Sequence, residues 1–298
     1  MRVVDGLCSG YWICKGPPGR SQRPKDSDIV LLWIHGGAYC FGDPLGAALT
    51  LLRVAERAAE QRVSISIFTV EYTLAPFARF PLQQNEAVAA YRYLLEVEKI
   101  EASNVIIAGE SAGGHLSLSC LLALAEAKLP KPLGALLLFP WVNLKNSAPS
   151  FRANKNKDVL NKYLLDRCVD LVVGKDRNMN TPAREILDLT KPLSDGRLWS
   201  HVLPMHSWIN VGSHDIFLDD VRHFVQQVRA DGAVVDLEIA YGEPHGWQFT
   251  ANESSFNHYC SLQPDQDVPP GMMPGSENIL KGAFAILRSC GRIEESLA

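Results

Sequence analysis

A serine hydroxyl becomes a competent nucleophile only when a base takes its proton. The chain carries a serine, an acid and a histidine in an order suited to that chemistry. Ser111 stands in Gly109-Glu110-Ser111-Ala112-Gly113, a match to G-x-S-x-G. With Gly and Ser each near ~7% of residues, such a string arises by chance in roughly one chain of this length in ten. Context adds the weight that the string lacks. Asn104–Ala108 (NVIIA) reads as a short buried strand that runs straight into a helical stretch, Ser111–Ala127. A sharp strand-to-helix turn lifts the serine Oγ off the backbone. The flanking glycines are needed where a side chain would strike the neighbouring strand or helix. The N-terminus of the helix also favours developing negative charge.

Asp215, in Gly212-Ser213-His214-Asp215, follows one apolar strand, and His245, in Glu243-Pro244-His245-Gly246-Trp247, follows the next. Both lie just past the C-terminal ends of expected parallel strands, the edge at which open α/β sheets bind ligands. Ser, Asp, His is the order in which such triads run on these sheets. Ser111 is then the nucleophile, His245 the base and Asp215 the group that orients the base. A fourth element, His35-Gly36-Gly37-Ala38, directly follows the strand Ile29–Ile34. The N–H groups of Gly36 and Gly37, with that of Ala112, are expected to form an oxyanion hole.

Other residues have plainer readings. Asp219 and Asp220 fall in the first turn of a helix, where carboxylates serve the dipole. Glu243 is near His245 only along the chain. Glu110 is expected to be a structural hydrogen-bonding group, His115 a packed residue, His214 an exposed loop residue and Asp43 a cap for the next helix. Tyr39 and Trp247 are candidates to line the acyl or alcohol pocket, with core packing as the alternative. Metal-ligand spacing and phosphate-binding loops are not found, so no metal or cofactor is expected.

The elements that must position these residues alternate. Strands are expected at Ile29–Ile34, Val63–Glu71, Asn104–Ala108, Leu133–Phe139, Trp208–Val211 and Val234–Ala240. Helices are expected at Leu45–Gln61, Gln83–Val97, Ser111–Ala127, Phe217–Ala230 and Ser276–Ser289. Nearly continuous hydrophobic strands between helices predict an α/β fold, a mostly parallel sheet covered on both faces. The polar segment 145–204 lacks a buried strand, contains one amphipathic piece (Val159–Val173), and reads as an insertion over one end of the sheet. The charges of its stretch RANKNKD (152–158) read as a solvated face. Pro264–Gly271 is a loop by composition.

With 298 residues the chain fits a single domain, 1–298, with that insertion at about 145–204. Its 29 basic and 33 acidic residues give a net charge of −4, which argues against a nucleic-acid surface. Apolar runs stay short of the ~18 residues that span a membrane. The N-terminus has neither the basic stretch nor the apolar block of a signal peptide. Seven scattered cysteines without a C-x-x-C pair suit a reducing, cytoplasmic setting.

Together, HGGA (35–38), EYTLAPFARFP (71–81), GESAGG (109–114), FPWVNL (139–144), GSHDIFLDD (212–220) and EPHGW (243–247) resemble the hormone-sensitive-lipase-like family of α/β-hydrolases. The likeness covers about residues 28–250. It implies a serine carboxylesterase or deacetylase that takes short-acyl, often acetyl, esters of an apolar alcohol, entering between the sheet edge and a helical cap. The start GYWIC with its short polar loop resembles fungal members that accompany secondary metabolism. Thr73 and Phe77 replace the family's Arg and Glu, which puts a local salt bridge in doubt, and Ala38 stands where a third Gly is common. Only 34 residues precede His35, so part of the usual lid is expected to be absent, unless the chain is a shortened gene product. A more open site of that kind is compatible with a homodimer. Amide hydrolysis, acyl transfer or lactonisation by the same triad, and a non-catalytic ligand receptor, are the alternatives.

Overall fold

The computed structural model describes residues 1–14, 23–174, 186–249, 253–263, 266, 268–269 and 271–294. The polar loop after GYWIC, most of Pro264–Gly271 and residues 175–185 of the insertion lie outside them.

Six apolar stretches form the parallel strands. They are β3 (Ile29–Ile34), β4 (Ile65–Val70), β5 (Val105–Glu110), β6 (Gly134–Leu138), β7 (His206–Gly212) and β8 (Val235–Ala240). Two further strands, β1 (Arg2–Asp5) and β2 (Cys8–Cys14), extend the sheet as an antiparallel ribbon beside β4. The order across the sheet is β1-β2-β4-β3-β5-β6-β7-β8. Every residue of β3 and β4 is buried, as strands covered on both faces require. At the edge, β8 is covered less: Val235 is buried, Leu237 and Glu238 are half-buried, and Asp236 and Ile239 are exposed.

Helices α1 (Ala48–Glu60), α2 (Leu82–Glu96) and α3 (Ala112–Glu126) follow β3, β4 and β5. After β6 come two short elements, α4 (Ser150–Ala153) and the amphipathic α5 (Lys162–Val173), then α6 (Trp199–Val202) leading into β7. The last three are α7 (Leu218–Ala230), α8 (Glu253–Ser261) and α9 (Pro274–Ser289). One face of the sheet is covered by α1 packed on α9, the other by α2 packed on α3. Trp199 of α6 meets Phe224 of α7 edge-on at 5.2 Å. Fully burying one such aromatic or branched side chain contributes roughly 1.5–3 kcal/mol. The parallel order turns the C-terminal ends of β3, β5, β7 and β8 to one edge, where HGGA, Ser111, Asp215 and His245 emerge. Among the described residues no helix is long and apolar enough to cross a membrane.

Candidate active site

At the end of β5 the chain reverses into α3 within a single residue. Ser111 holds φ 52° and ψ −119°, a left-handed conformation that a non-glycine residue adopts at a cost. Neighbouring contacts enforce it. A side chain at Gly113 would bring its Cβ to 2.0 Å from the Ile34 carbonyl oxygen, so α3 can pack this close to β3 only with glycine there. Ser111 N–H donates to Leu138 O (2.9 Å), and Ser111 O accepts from Trp141 N (3.0 Å).

The turn brings Ser111 Oγ to 2.9 Å from His245 Nε2. On the other side of the imidazole, Nδ1 donates to Asp215 Oδ2 at 2.9 Å. Asp215 is wholly buried and also accepts from Phe217 N (2.7 Å). Phe139 and Phe217 meet the imidazole edge-on, with ring centroids 4.4 and 5.0 Å away. Burial alone would lower the His245 pKa. The charge and hydrogen bond of Asp215, helped by Asp158 and Glu110, outweigh that and hold it above the ordinary histidine value. The structure thus unites the serine, histidine and acid expected from the sequence. Asp219, Asp220 and Glu243 make no bond to His245 among the described residues. Asp220 instead accepts from Asn143 Nδ2 (2.9 Å).

The loop after β3 departs from expectation in one donor. Gly36 N–H already donates to Glu110 Oε1 (3.3 Å), so the structural role expected of Glu110 takes up a group assigned to the oxyanion hole. The N–H groups of Gly37, Ala38 and Ala112 have no acceptor among the described residues. Gly37 (φ 100°) could not be replaced without strain, since a Cβ there would meet Phe41 O at 2.2 Å. The loop is pinned from behind. His35 Nδ1–H donates to Gly36 O (2.8 Å), its ring stacks on Tyr72 at 4.3 Å, and Tyr72 O–H donates to His35 O (3.0 Å).

Tyr39 and Trp247 do not line the cleft. Tyr39 is fully buried, and its hydroxyl donates to His115 Nδ1 (2.6 Å). The other nitrogen of His115 donates to Ile186 O (2.8 Å), and burial pushes the His115 pKa down to about 4. Tyr39 therefore ties the glycine loop to α3 instead of facing a ligand. Trp247, half-buried, donates from Nε1 to Asn210 Oδ1 (3.2 Å). The cleft, about 340 Å³, is walled by Phe41, Phe139 and Phe249, and by Leu160, Leu164 and Leu165 from the segment after β6. Asp43, expected as a helix cap, lies at its edge and accepts from Leu45 N (2.7 Å) in the turn before α1. His214 is half-buried, its N–H donating to Glu243 O (3.0 Å).

Three polar residues of the segment after β6 belong to the site and escaped the sequence reading. Ser150 Oγ donates to Ile216 O (2.6 Å), and Asn154 Nδ2 donates to Asp215 O (2.8 Å) and Ser213 O (3.1 Å). Asp158 accepts from Ile216 N (2.6 Å) and His245 N (3.1 Å). The stretch read as a solvated face is therefore solvated at Arg152, Lys155 and Lys157 but turned inward at Asp158. The signal in the sequence was the four-residue spacing of Ser150, Asn154 and Asp158, which sets polar groups on one side of a helical path.

Comparisons with known proteins agree with this geometry. The profile of a family described as alpha/beta hydrolase fold matches residues 31–249. An acetyl-hydrolase of Streptomyces hygroscopicus is 29% identical over 83% of this chain and 75% of its own length. The arylacetamide deacetylase of Bos taurus is 28% identical over 61% of this chain, a region spanning 48% of that protein. A crystal structure of an esterase from the bacterial hormone-sensitive lipase family is 26% identical, with a TM-score of 0.75 over 97% of this chain and 84% of that one. The chain belongs to the α/β-hydrolase fold family, on its hormone-sensitive-lipase-like branch of ester hydrolases.

Proposed function

We propose that this chain cleaves short-acyl esters of an apolar alcohol through an acyl-enzyme formed on Ser111. His245 removes the Oγ proton as Oγ attacks the ester carbonyl. Asp215 fixes the imidazole tautomer and stabilises the imidazolium. The N–H groups of Gly37, Ala38 and Ala112 receive the oxyanion, a task in which one lost donor typically costs roughly 2.7–4 kcal/mol of barrier. Collapse of the tetrahedral adduct breaks the bond to the alcohol, and His245 returns the proton to the departing oxygen. Water then repeats the sequence on the acyl-enzyme and releases the acid. Segment 145–204 acts as the cap of a single domain, its leucines closing the cleft.

The observation that carries this reading is the 2.9 Å approach of Ser111 Oγ to His245 Nε2, with Asp215 at 2.9 Å behind the ring. A cleft of about 340 Å³ with an aromatic and aliphatic wall supports a small acyl group. The relatives are named as acetyl-hydrolases, esterases and deacetylases, which favours hydrolysis over acyl transfer, lactonisation or a receptor role. Cys8, Cys40, Cys120, Cys168, Cys260 and Cys290 are free thiols, in support of a reducing compartment.

Hydrolysis of p-nitrophenyl acetate, butyrate and octanoate by wild type and Ser111→Ala tests the proposal. Turnover should fall with acyl length, and the variant should lose about 10⁴-fold or more of kcat. Equal rates for the two proteins would sink it.

A further inference from the structure

We infer that the alcohol released by this enzyme, apolar in its body, carries an anionic group remote from its ester oxygen, seated in a second groove that opens beside the catalytic cleft. The inference rests on the ester-hydrolase reading above. The groove encloses about 680 Å³, twice the cleft's about 340 Å³, and the two share one wall residue, Leu160. Its floor is apolar, formed by Phe151 and Ile216, both buried. Its rim holds three exposed cations, Arg152, Lys155 and Lys162. The lone acid there is Asp166, which is bound to Lys162 (2.6 Å) and accepts from Asn146 Nδ2 (3.0 Å). Arg152 and Lys155 form no ion pair among the described residues.

Cations spread over a convex surface attract only counter-ions. Here they rim a concavity that shares the Leu160 wall with the catalytic cleft, where like charges focus the field and raise the local concentration of an anion. The apolar floor suits the body of the alcohol and the cationic rim suits its far end. The side of the ester follows from the chemistry. His245 must return its proton to the leaving oxygen, so the alcohol lies on the His245 side of the cleft. Leu160 is tied to that side, because the Asp158 carboxylate that accepts from His245 N (3.1 Å) also accepts from Leu160 N (3.4 Å). An alcohol leaving past His245 thus crosses Leu160 into the groove.

The test compares the acetyl ester of 3-(4-hydroxyphenyl)propionate with that of the matching propionamide, of equal size but uncharged. At low ionic strength kcat/KM for the carboxylate should exceed that for the amide about three- to tenfold, the scale of one or two exposed charge pairs. The ratio should fall toward one in high salt, and drop to one or below in the double variant Arg152→Glu/Lys155→Glu, with melting temperature as the check on folding. A wild-type ratio of one or less at every ionic strength, or a ratio that the double variant leaves in place, overturns the inference. Cleavage of both esters without preference would sink it alone, whereas failure to cleave either would remove the ester-hydrolase reading as well.

Discussion

Glu110 occupies the variable place of G-x-S-x-G, where sequence logic asks nothing of the side chain. In the structure its carboxylate reaches across to Gly36 N–H (3.3 Å) and holds the loop whose next two residues, Gly37 and Ala38, line the cleft. Burial pushes its pKa up to about 7, against the opposing pull of that bond and of His245. The donor geometry of the oxyanion site therefore depends on a side chain outside the triad. Glu110→Ala should release the loop and lower kcat for p-nitrophenyl butyrate about tenfold or more, the size of effect expected when reacting groups are misplaced by a fraction of an ångström to an ångström. KM should change little, since ground-state binding rests on the apolar walls. Glu110→Gln keeps an acceptor for Gly36 and should retain most of the rate. Equal kcat in the alanine variant and wild type would assign the loop's position to Tyr72 and His35 alone.

At the scale of elements, the segment after β6 is a clamp as well as a wall. Ser150, Asn154 and Asp158 bond the two loops that carry Asp215 and His245, so their mutual distance is set by an element that contributes no atom to the reaction. Asp158 adds charge to geometry, since it helps raise the pKa of His245. Activity needs neutral His245, so kcat/KM climbs with pH through that pKa. Asp158→Asn removes a charge that favours imidazolium, and the acid limb should move to lower pH. The weakened clamp should also reduce the plateau about ten- to hundredfold. A purely structural role would lower the plateau and leave the limb in place, and that outcome would contradict the electrostatic part. The clamp also marks where the sequence was legible. The six parallel strands and five long helices were readable because a covered sheet demands long apolar runs, and Ser111, Asp215 and His245 followed from their ends. The ribbon β1–β2 was not, because a short antiparallel pair at the sheet edge is half-exposed and has neither pattern strongly. The short helix α8 likewise has little amphipathic signal. Tyr39 and the Gly36 N–H were misjudged for another reason. Which way a side chain or an N–H turns is decided by His115 and Glu110, partners distant in sequence.

For the whole molecule, the buried titrating groups oppose one another. His115 is held neutral, with its pKa pushed down to about 4, so the folded state binds fewer protons than the unfolded chain between about pH 4 and 6.5. Stability therefore rises with pH across that window. Glu110, pushed up to about 7, does the reverse, because the folded state keeps a proton that the unfolded chain releases near 4.5. Asp220, pushed up to about 6 by burial, adds to the same side. Stability from these two acids is present at low pH and lost as pH rises through their folded values. His245, raised by Asp215, stabilises below about 6.5 and loses that contribution as pH rises through its folded pKa. Between about pH 4.5 and 6 the losses at Glu110 and Asp220 together outweigh the single gain at His115, and above about pH 6.5 His115 has nothing left to gain while Glu110 and His245 continue to lose. From these groups wild type should show a melting temperature that falls from pH 5 to pH 8. Glu110→Gln cannot ionise, so its melting temperature should fall less over that interval, by an amount on the order of 1–3 kcal/mol of retained stability. Parallel melting curves for the two proteins from pH 5 to 8 would mean that Glu110 titrates alike folded and unfolded, and that the cleft is wetter than its aromatic and leucine walls imply.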